Sequence, residues 1–455
     1  MQPRNRPEST PLRPGSEPLD PAWKDALEQA SRKLPERDPR AQVFYECRED
    51  LRIDLRSDSS AIVVPTRLRG TAACRGGSRP GFEFQAWPSP ADIAVGGSDI
   101  AGPGRAVSDC NETPHPAAST FDPRALVAWL EDLRSRADGR FSLRWVGFRQ
   151  QIAVAVPGGE VRTDLRRGAR VRLELEVPGP SGRTARAVAE RVFRPPHTTA
   201  DLGEVVGSLA ERARARLDAR EPAPGETILV LGPGVGGILI HELIGHALEA
   251  DTVLRGASAL VAKPGAVAPA EVTVVDDPRR GRGAWRRDDE AVECRATPLI
   301  EGGRVAGYLH DLSSAERFRQ SATGHGRRAS FREPVRPRMG CTFLAPGRLT
   351  PEEVLKGTSR GVYIRRMETA STDSLSGSAR FIVTDADCID QGRLCHPLHP
   401  FLLELRASTA LPSLDRIGND LEFDTCVGSC LRDGQPLVTS VGAPTFRIGV
   451  ARVTS

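Results

Sequence analysis

The segment His241-Glu242-Leu243-Ile244-Gly245-His246 places two imidazoles on either side of a carboxylate within an apolar stretch. Neutral imidazole nitrogens bind zinc, and a carboxylate beside them can take a proton from a water held at the metal. These residue types therefore point to metal-assisted hydrolysis. The spacing exceeds that of the common His-Glu-x-x-His helix by one residue. At about 100° per residue, an i,i+4 pair lies roughly 40° apart on an α-helix, whereas an i,i+5 pair lies about 140° apart. A shared ion thus predicts a widened turn or a helix end between the histidines, with Gly245 the residue best able to supply it. Read by spacing alone, two hydrogen-bonded histidines on a partly buried helix are an equal alternative.

A zinc site that works on water needs a third protein ligand and one open position. Cys395-His396-x-x-His399 is conspicuous by composition, although it follows a hairpin and lies among prolines. Cys426 and Cys430, close to Gly428 and Asp433-Gly434, form another pair. Residue types alone do not choose between them. Upstream of His241, Gly232, Gly234 and Gly237 match a Gly-x-Gly-x-x-Gly dinucleotide fingerprint after a strand. That fingerprint also wants an acidic residue about 20 positions on, at the end of a second strand. Glu249 and Asp251 fall in or just after the apolar helix instead, so a tight strand-to-helix turn explains the glycines better. The Asp276–Glu290 run and Arg327-Arg328, after Gly324-His325-Gly326, are the other dense polar stretches, and each reads by default as a solvated loop.

The elements around these residues read as α+β. Residues 1–19 are proline-rich without an apolar period, the pattern of a disordered tail. Asp20-Pro21 and Asp122-Pro123 each look like an N-cap followed by proline at the first helical position. Trp23, Leu27, Ala30 and Leu34 follow the first at helical spacing, and Leu126, Leu130 and Leu133 follow the second. Alternation in Val43, Tyr45, Cys47 and Leu51, Ile53, Leu55, and again in Phe141–Trp145, Ile152–Val156 and Val171–Val177, predicts an antiparallel sheet. Residues 97–118 read as a linker or long loop. An amphipathic helix over about 201–219 closes the first half, residues 20–220, which shows no catalytic constellation. The second half, 221–455, opens on the buried strand Thr227–Leu231 and continues as a β-rich domain carrying the His-Glu helix, with hairpins at Gly302-Gly303 and Gln391-Gly392.

Composition narrows the classes of function. The chain has 455 residues and a net charge of +4 from 63 basic and 59 acidic residues, which by itself implies no nucleic-acid partner. Neither an export signal nor an apolar run long enough to cross a membrane is evident. Nine cysteines scattered through so long a chain suit reduced thiols in a cytoplasm better than a disulfide framework.

The pattern His241-Glu242-x-x-Gly245-His246-x-Leu248-Glu249 after a glycine turn resembles the signature of the TldD/PmbA metallopeptidases, on the TldD side. The match continues in order through Val274-Val275-Asp276-Asp277, Asp288-Asp289-Glu290, Gly324-x-Gly326-Arg327-Arg328 and Pro337-Arg338-Met339. It ends in Gly418-Asn419-Asp420-Leu421, Gly434-Gln435-Pro436 and Gly442-x-Pro444-Thr445. Over the first half only the order of helices and strands is similar. The resemblance implies a zinc peptidase that works as a heterodimer with a related PmbA/TldE-like subunit lacking the metal helix, cutting unstructured peptides held as an added strand. It also implies Cys430, just upstream of the Gly434-Gln435 turn, as the third zinc ligand beside His241 and His246, with Glu242 as the catalytic base. His325 stands where the family more often has asparagine, and His325, Arg327 and Arg328 are its candidates for substrate contact. Two alternatives accompany this reading: an enzyme dedicated to one amide-linked biosynthetic intermediate, and a non-catalytic partner subunit.

Overall fold

The computed structural model describes residues 19–34, 41–74, 82–83, 121–193, 202–262, 265–423 and 429–454. The tail expected over 1–19, apart from the buried Leu19, and the linker expected over 97–118 lie outside the described residues, as does Cys426.

The first sheet is antiparallel throughout. Its strands are β1 (Gln42–Arg56), β2 (Ser59–Cys74), β3 (Phe82–Glu83), β4 (Arg140–Ala155), β5 (Val161–Pro178) and β6 (Thr184–Phe193), in the order β3-β2-β1-β4-β5-β6. Side chains alternate between faces with period two, and the two faces have different fates. Val43, Tyr45, Cys47, Leu51, Ile53 and Leu55 all point to one face and are buried. The helices α1 (Pro21–Ser31), α2 (Pro123–Ser135) and α3 (Gly203–Ala215) cover that face. Both expected N-caps form: Asp20 accepts from the Ala22 amide, and Asp122 accepts from those of Arg124 and Ala125.

The opposite face is not left to water. Phe44, Ile152 and Val154 pack there against Ala291 and Phe331 from the second half. Arg166 Nη1 reaches Asp289 Oδ1 at 2.6 Å, Glu46 accepts from the Phe331 amide, and Arg328 lies over the Phe44 ring. The Asp276–Glu290 run and Arg327-Arg328 are therefore not solvated loops. Asp276, Asp288, Asp289, Arg327 and Arg328 are all at most 3% exposed: Arg327 pairs with Asp289, Arg328 lies over Phe44, and Asp276 and Asp288 accept from buried backbone amides.

In the second half, Gly225–Leu231 runs parallel to Arg360–Asp373 and antiparallel to Phe446–Thr454. Pairing continues through Phe401–Arg406 to Ser378–Asp390, which pairs back to Arg360–Asp373 and closes a five-stranded ring. A second, six-stranded sheet includes Val274–Asp276, Cys341–Leu344 and Ser440–Ala443. The His-Glu segment runs between ring and sheet, touching both Cys341–Leu344 and Ser378–Asp390. Leu239, Ile240, Leu243, Ile244, Ala247 and Leu248 are at most 2% exposed in that core. Fully burying a leucine or isoleucine is worth about 1.5–3 kcal/mol, so the segment is anchored firmly enough to hold polar side chains in place. Among the described residues, no helix is long and apolar enough to cross a membrane.

Candidate metal centre

Between Gly225–Leu231 and the helix, the glycine turn serves packing. A Cβ on Gly236 would fall 2.0 Å from the Phe446 ring. The helix then opens as α over Gly237–Ile240, widens to a π turn over His241–Gly245 and tightens to 3-10 over His246–Leu248. The His246 amide donates to the His241 carbonyl, an i→i+5 bond that closes the wide turn on the two histidines themselves. Their rings lie 4.9 Å apart between centroids, at 82° to one another.

Gly245 has an ordinary helical conformation, φ −56° and ψ −59°, so the bulge does not depend on its backbone freedom. It is needed for space. A Cβ there would sit 1.9 Å from the sulfur of Met339, itself 1% exposed. In a free helix Gly→Ala would stabilise by up to about 1 kcal/mol, whereas overpacking a core costs about 1–3 kcal/mol. Gly245→Ala is therefore expected to lower the melting temperature and metal content together, and adding Met339→Ala should recover the metal content. A G245A chain that melts higher than wild type would show that this contact yields freely.

Cys430 lies on the strand Ser429–Arg432, which pairs with Gln435–Val438 across a two-residue turn. This hairpin brings its sulfur to 3.2 Å from His246 Nε2. One ligand atom each from His241, His246 and Cys430 can be chosen so that all lie within 4.8 Å of one another, and all three residues are largely buried. The rival candidates behave differently. Cys395 is exposed on the strand Arg393–Leu398, and Cys395, His396 and His399 form no metal-sized group among the described residues. Cys47, Cys294, Cys341, Cys388, Cys395 and Cys430 are all free thiols.

Burial alone would push the Cys430 thiol up, but the imidazoles of His246 and His241 outweigh it and hold it well below the usual thiol range. His241 Nδ1 is buried without a hydrogen-bond partner, in a residue that lines the same cleft as Cys430. Two imidazoles and a thiolate form a borderline-soft donor set of the kind zinc takes. Behind His246, Nδ1 lies 3.1 Å from Glu249 Oε2, the carboxylate–histidine arrangement that fixes a ligand's ring orientation. Glu249 is fully buried. Burial would raise its pKa, yet His246, Arg432 and Arg338 pull it down to about 2. Glu242 Oε1 accepts from Thr369 Oγ1 at 2.8 Å and Oε2 from Thr372 Oγ1 at 2.6 Å. Its carboxylate sits 3.8 Å from His246 Nε2, and the two histidines outweigh burial to keep it below the usual range.

Residues 224–455, just over half of the chain, match the family model for the PmbA/TldA metallopeptidase C-terminal domain. The chain belongs to the PmbA/TldD metallopeptidase family. It is 31% identical over 241 residues to a metalloprotease TldD homolog of Buchnera aphidicola, covering 52% of this chain and 50% of that one. It is 26% identical over 257 residues to a zinc metalloprotease TldD homolog of Saccharolobus solfataricus, covering 56% and 57%. The match thus spans about half the length of these curated relatives. The fold likeness reaches further. TldE from Thermococcus kodakarensis superposes with a TM-score of 0.74 at 16% identity, over 95% of this chain and all of that one. The first half of this family member therefore keeps a fold that its sequence signals only by element order.

The cluster opens on a cleft of about 610 Å³ lined by His241, Glu242, His246, Cys430, Thr369 and Thr372, among others. His325, Arg327 and Arg328 do not line it. His325 is fully buried, with Nε2 3.0 Å from Asp276 Oδ1, and Arg327 stacks on Trp285. The expected direct substrate contacts are thus not ones this arrangement offers. The cleft instead takes Arg170, Arg172 and Glu190 from the first half and Arg366 and Glu368 from the ring. Sequence reading missed these, because Arg170 and Arg172 alternate with Val171 and Leu173 as a solvent-facing edge would. Glu249, three residues beyond His246, was detectable by its i,i+3 spacing; Thr369 and Thr372 carried no signal.

Proposed function

We propose that this chain is a zinc-dependent peptidase subunit in which His241, His246 and Cys430 hold the ion and Glu242 handles the proton. The observation that supports it best is the meeting of two imidazoles and one thiol, from segments more than 180 residues apart, beside a carboxylate fixed by two threonines. A non-catalytic subunit has no use for that carboxylate. Zinc bound to this set supplies Lewis acidity, acidifying water toward a pKa of about 7 and polarising a carbonyl. The chain's own residues do the rest. Glu242, ionised and oriented by Thr369 and Thr372, accepts a proton from the attacking water and passes it to the leaving amine. Glu249 holds the His246 ring in register through Nδ1. The cleft, lined by Ile238 and Val441 together with charged side chains, has room for an extended peptide.

The zinc named for the Saccharolobus relative and the TldE-like fold support two further parts of this reading: the metal, and assembly with a related chain of the same fold. Metal analysis of the purified chain, alone and with such a partner, tests it together with a peptide-digestion screen. Cys430→Ser is expected to weaken zinc binding by more than the roughly 10–100-fold that losing an outer-shell partner costs. Cys395→Ser should leave zinc content unchanged. The reverse pattern would reassign the third ligand.

A further inference from the structure

We infer that Arg338 is a positioning residue that sets the geometry of two metal ligands at once, so that the donor set is assembled before any ion arrives. The inference rests on the zinc reading above and adds to it a residue outside the ligand set. Arg338 directly follows the short strand Arg336–Pro337, within the Pro337-Arg338-Met339 motif, and is fully buried. Its Nη2 donates to Cys430 Sγ at 3.2 Å and to the Cys430 carbonyl at 3.1 Å. Its Nη1 donates to the Gln435 carbonyl at 3.3 Å, across the same hairpin. Its Nε lies 3.5 Å from Glu249 Oε1, and the other oxygen of Glu249 meets His246. One planar guanidinium thus ties together the helix end at 249 and the hairpin at 430–435. Arg432, on the hairpin itself, adds further links to the helix end through Glu249, Asp251 and Thr252.

The charge balance favours the same role. Arg338 brings one cationic side chain against both the Cys430 sulfur and the Glu249 carboxyl group. An N–H donated to a ligating sulfur also withdraws charge from it, as outer-shell hydrogen bonds do at metal sites generally. Arginine's fork is what permits this: its donors are fixed in one plane, whereas a lysine ammonium is a single point charge on a flexible stem. Met339, next in the chain, fills the space left by Gly245. The dipeptide therefore meets the widened helix and the hairpin with two adjacent side chains.

The test uses the full-length chain and its Arg338→Lys and Arg338→Met variants, stripped of metal. Zinc affinity is measured by competition with a chromophoric chelator, cobalt is substituted to read the thiolate-to-metal charge-transfer band, and apo-protein melting is recorded. Both variants are expected to melt cooperatively and to bind zinc about 10–100-fold more weakly. Their charge-transfer band should move to lower energy as the sulfur loses its donor, with the Met variant moved further than the Lys variant. A folded R338M chain with wild-type zinc affinity and an unmoved band would overturn the inference while leaving the zinc reading intact. Failure of either variant to fold at all would assign Arg338 to the core and likewise overturn it. Wild-type chain that binds no zinc would remove the zinc reading, and this inference with it.

Discussion

Glu242→Gln is expected to bind zinc like the parent chain while its turnover of a peptide substrate falls by about 10²–10⁴-fold, the range that a general acid–base group contributes. The substitution is close to silent sterically. Thr369 and Thr372 present hydroxyls to the two carboxylate oxygens, and a hydroxyl can donate to an amide oxygen or accept from an amide nitrogen by rotating. The glutamine side chain can therefore take the same seat. What it loses is the ability to accept a proton from water, so the effect should fall on kcat, with KM little changed. Metal content serves as the control, because Glu242 is not among the three groups placed to bind the ion. Wild-type turnover in E242Q would remove Glu242 from proton transfer, and loss of zinc would make it a ligand.

The largest stability effect is expected outside the cluster, at Arg166. This side chain is 1% exposed and pairs at 2.6 Å with Asp289, itself fully buried. It also donates to the Arg287 carbonyl at 2.9 Å and to Gln150 at 3.3 Å. Asp289 keeps a depressed pKa against burial because Arg166 leads the groups that offset it, followed by Arg327 and Arg328. Removing one member of a buried pair strands the other, at a cost of about 3–5 kcal/mol. Arg166→Met should therefore lower unfolding free energy by about that amount in a denaturant titration. Adding Asp289→Asn should return part of it, since Asp289 is one of the two carboxylates that the change strands, Asp164 at 3.4 Å being the other. A loss below about 1 kcal/mol would mean that the junction between the halves does not lean on this pair. The prediction also bears on function, because β5 carries Arg166 together with Arg170 and Arg172, which line the cleft.

Much of the local structure was legible because it follows from short-range chemistry. Asp-Pro at 20–21 and 122–123 capped helices as expected, and period-two alternation from Val43 to Leu55 marked a sheet face buried under them. The two histidines, one residue too far apart for an α-helix, implied a widened turn, and a π turn stands there. The role of Gly245 was misjudged, however, since the reason lies in Met339, 94 positions further on, which no local pattern reveals. The same holds for the buried arginines and aspartates. A run such as Arg327-Arg328 looks solvated until its partners across the junction are known, and those partners are set by topology. Thr369 and Thr372, which hold Glu242, are ordinary β-strand residues in sequence and acquire a role only when the ring brings Arg360–Asp373 beside the helix. Cys430 is singled out by resemblance alone; the hairpin brings its sulfur beside His246, whereas Cys395 is exposed.

The most direct measurement is an anomalous difference map collected at the zinc edge from crystals of the chain grown with zinc. The account predicts one strong peak within about 2.0–2.1 Å of a nitrogen from each of His241 and His246 and about 2.3 Å from the Cys430 sulfur. A peak elsewhere, or one bound by the histidines with the Cys430 sulfur beyond bonding distance, would contradict it.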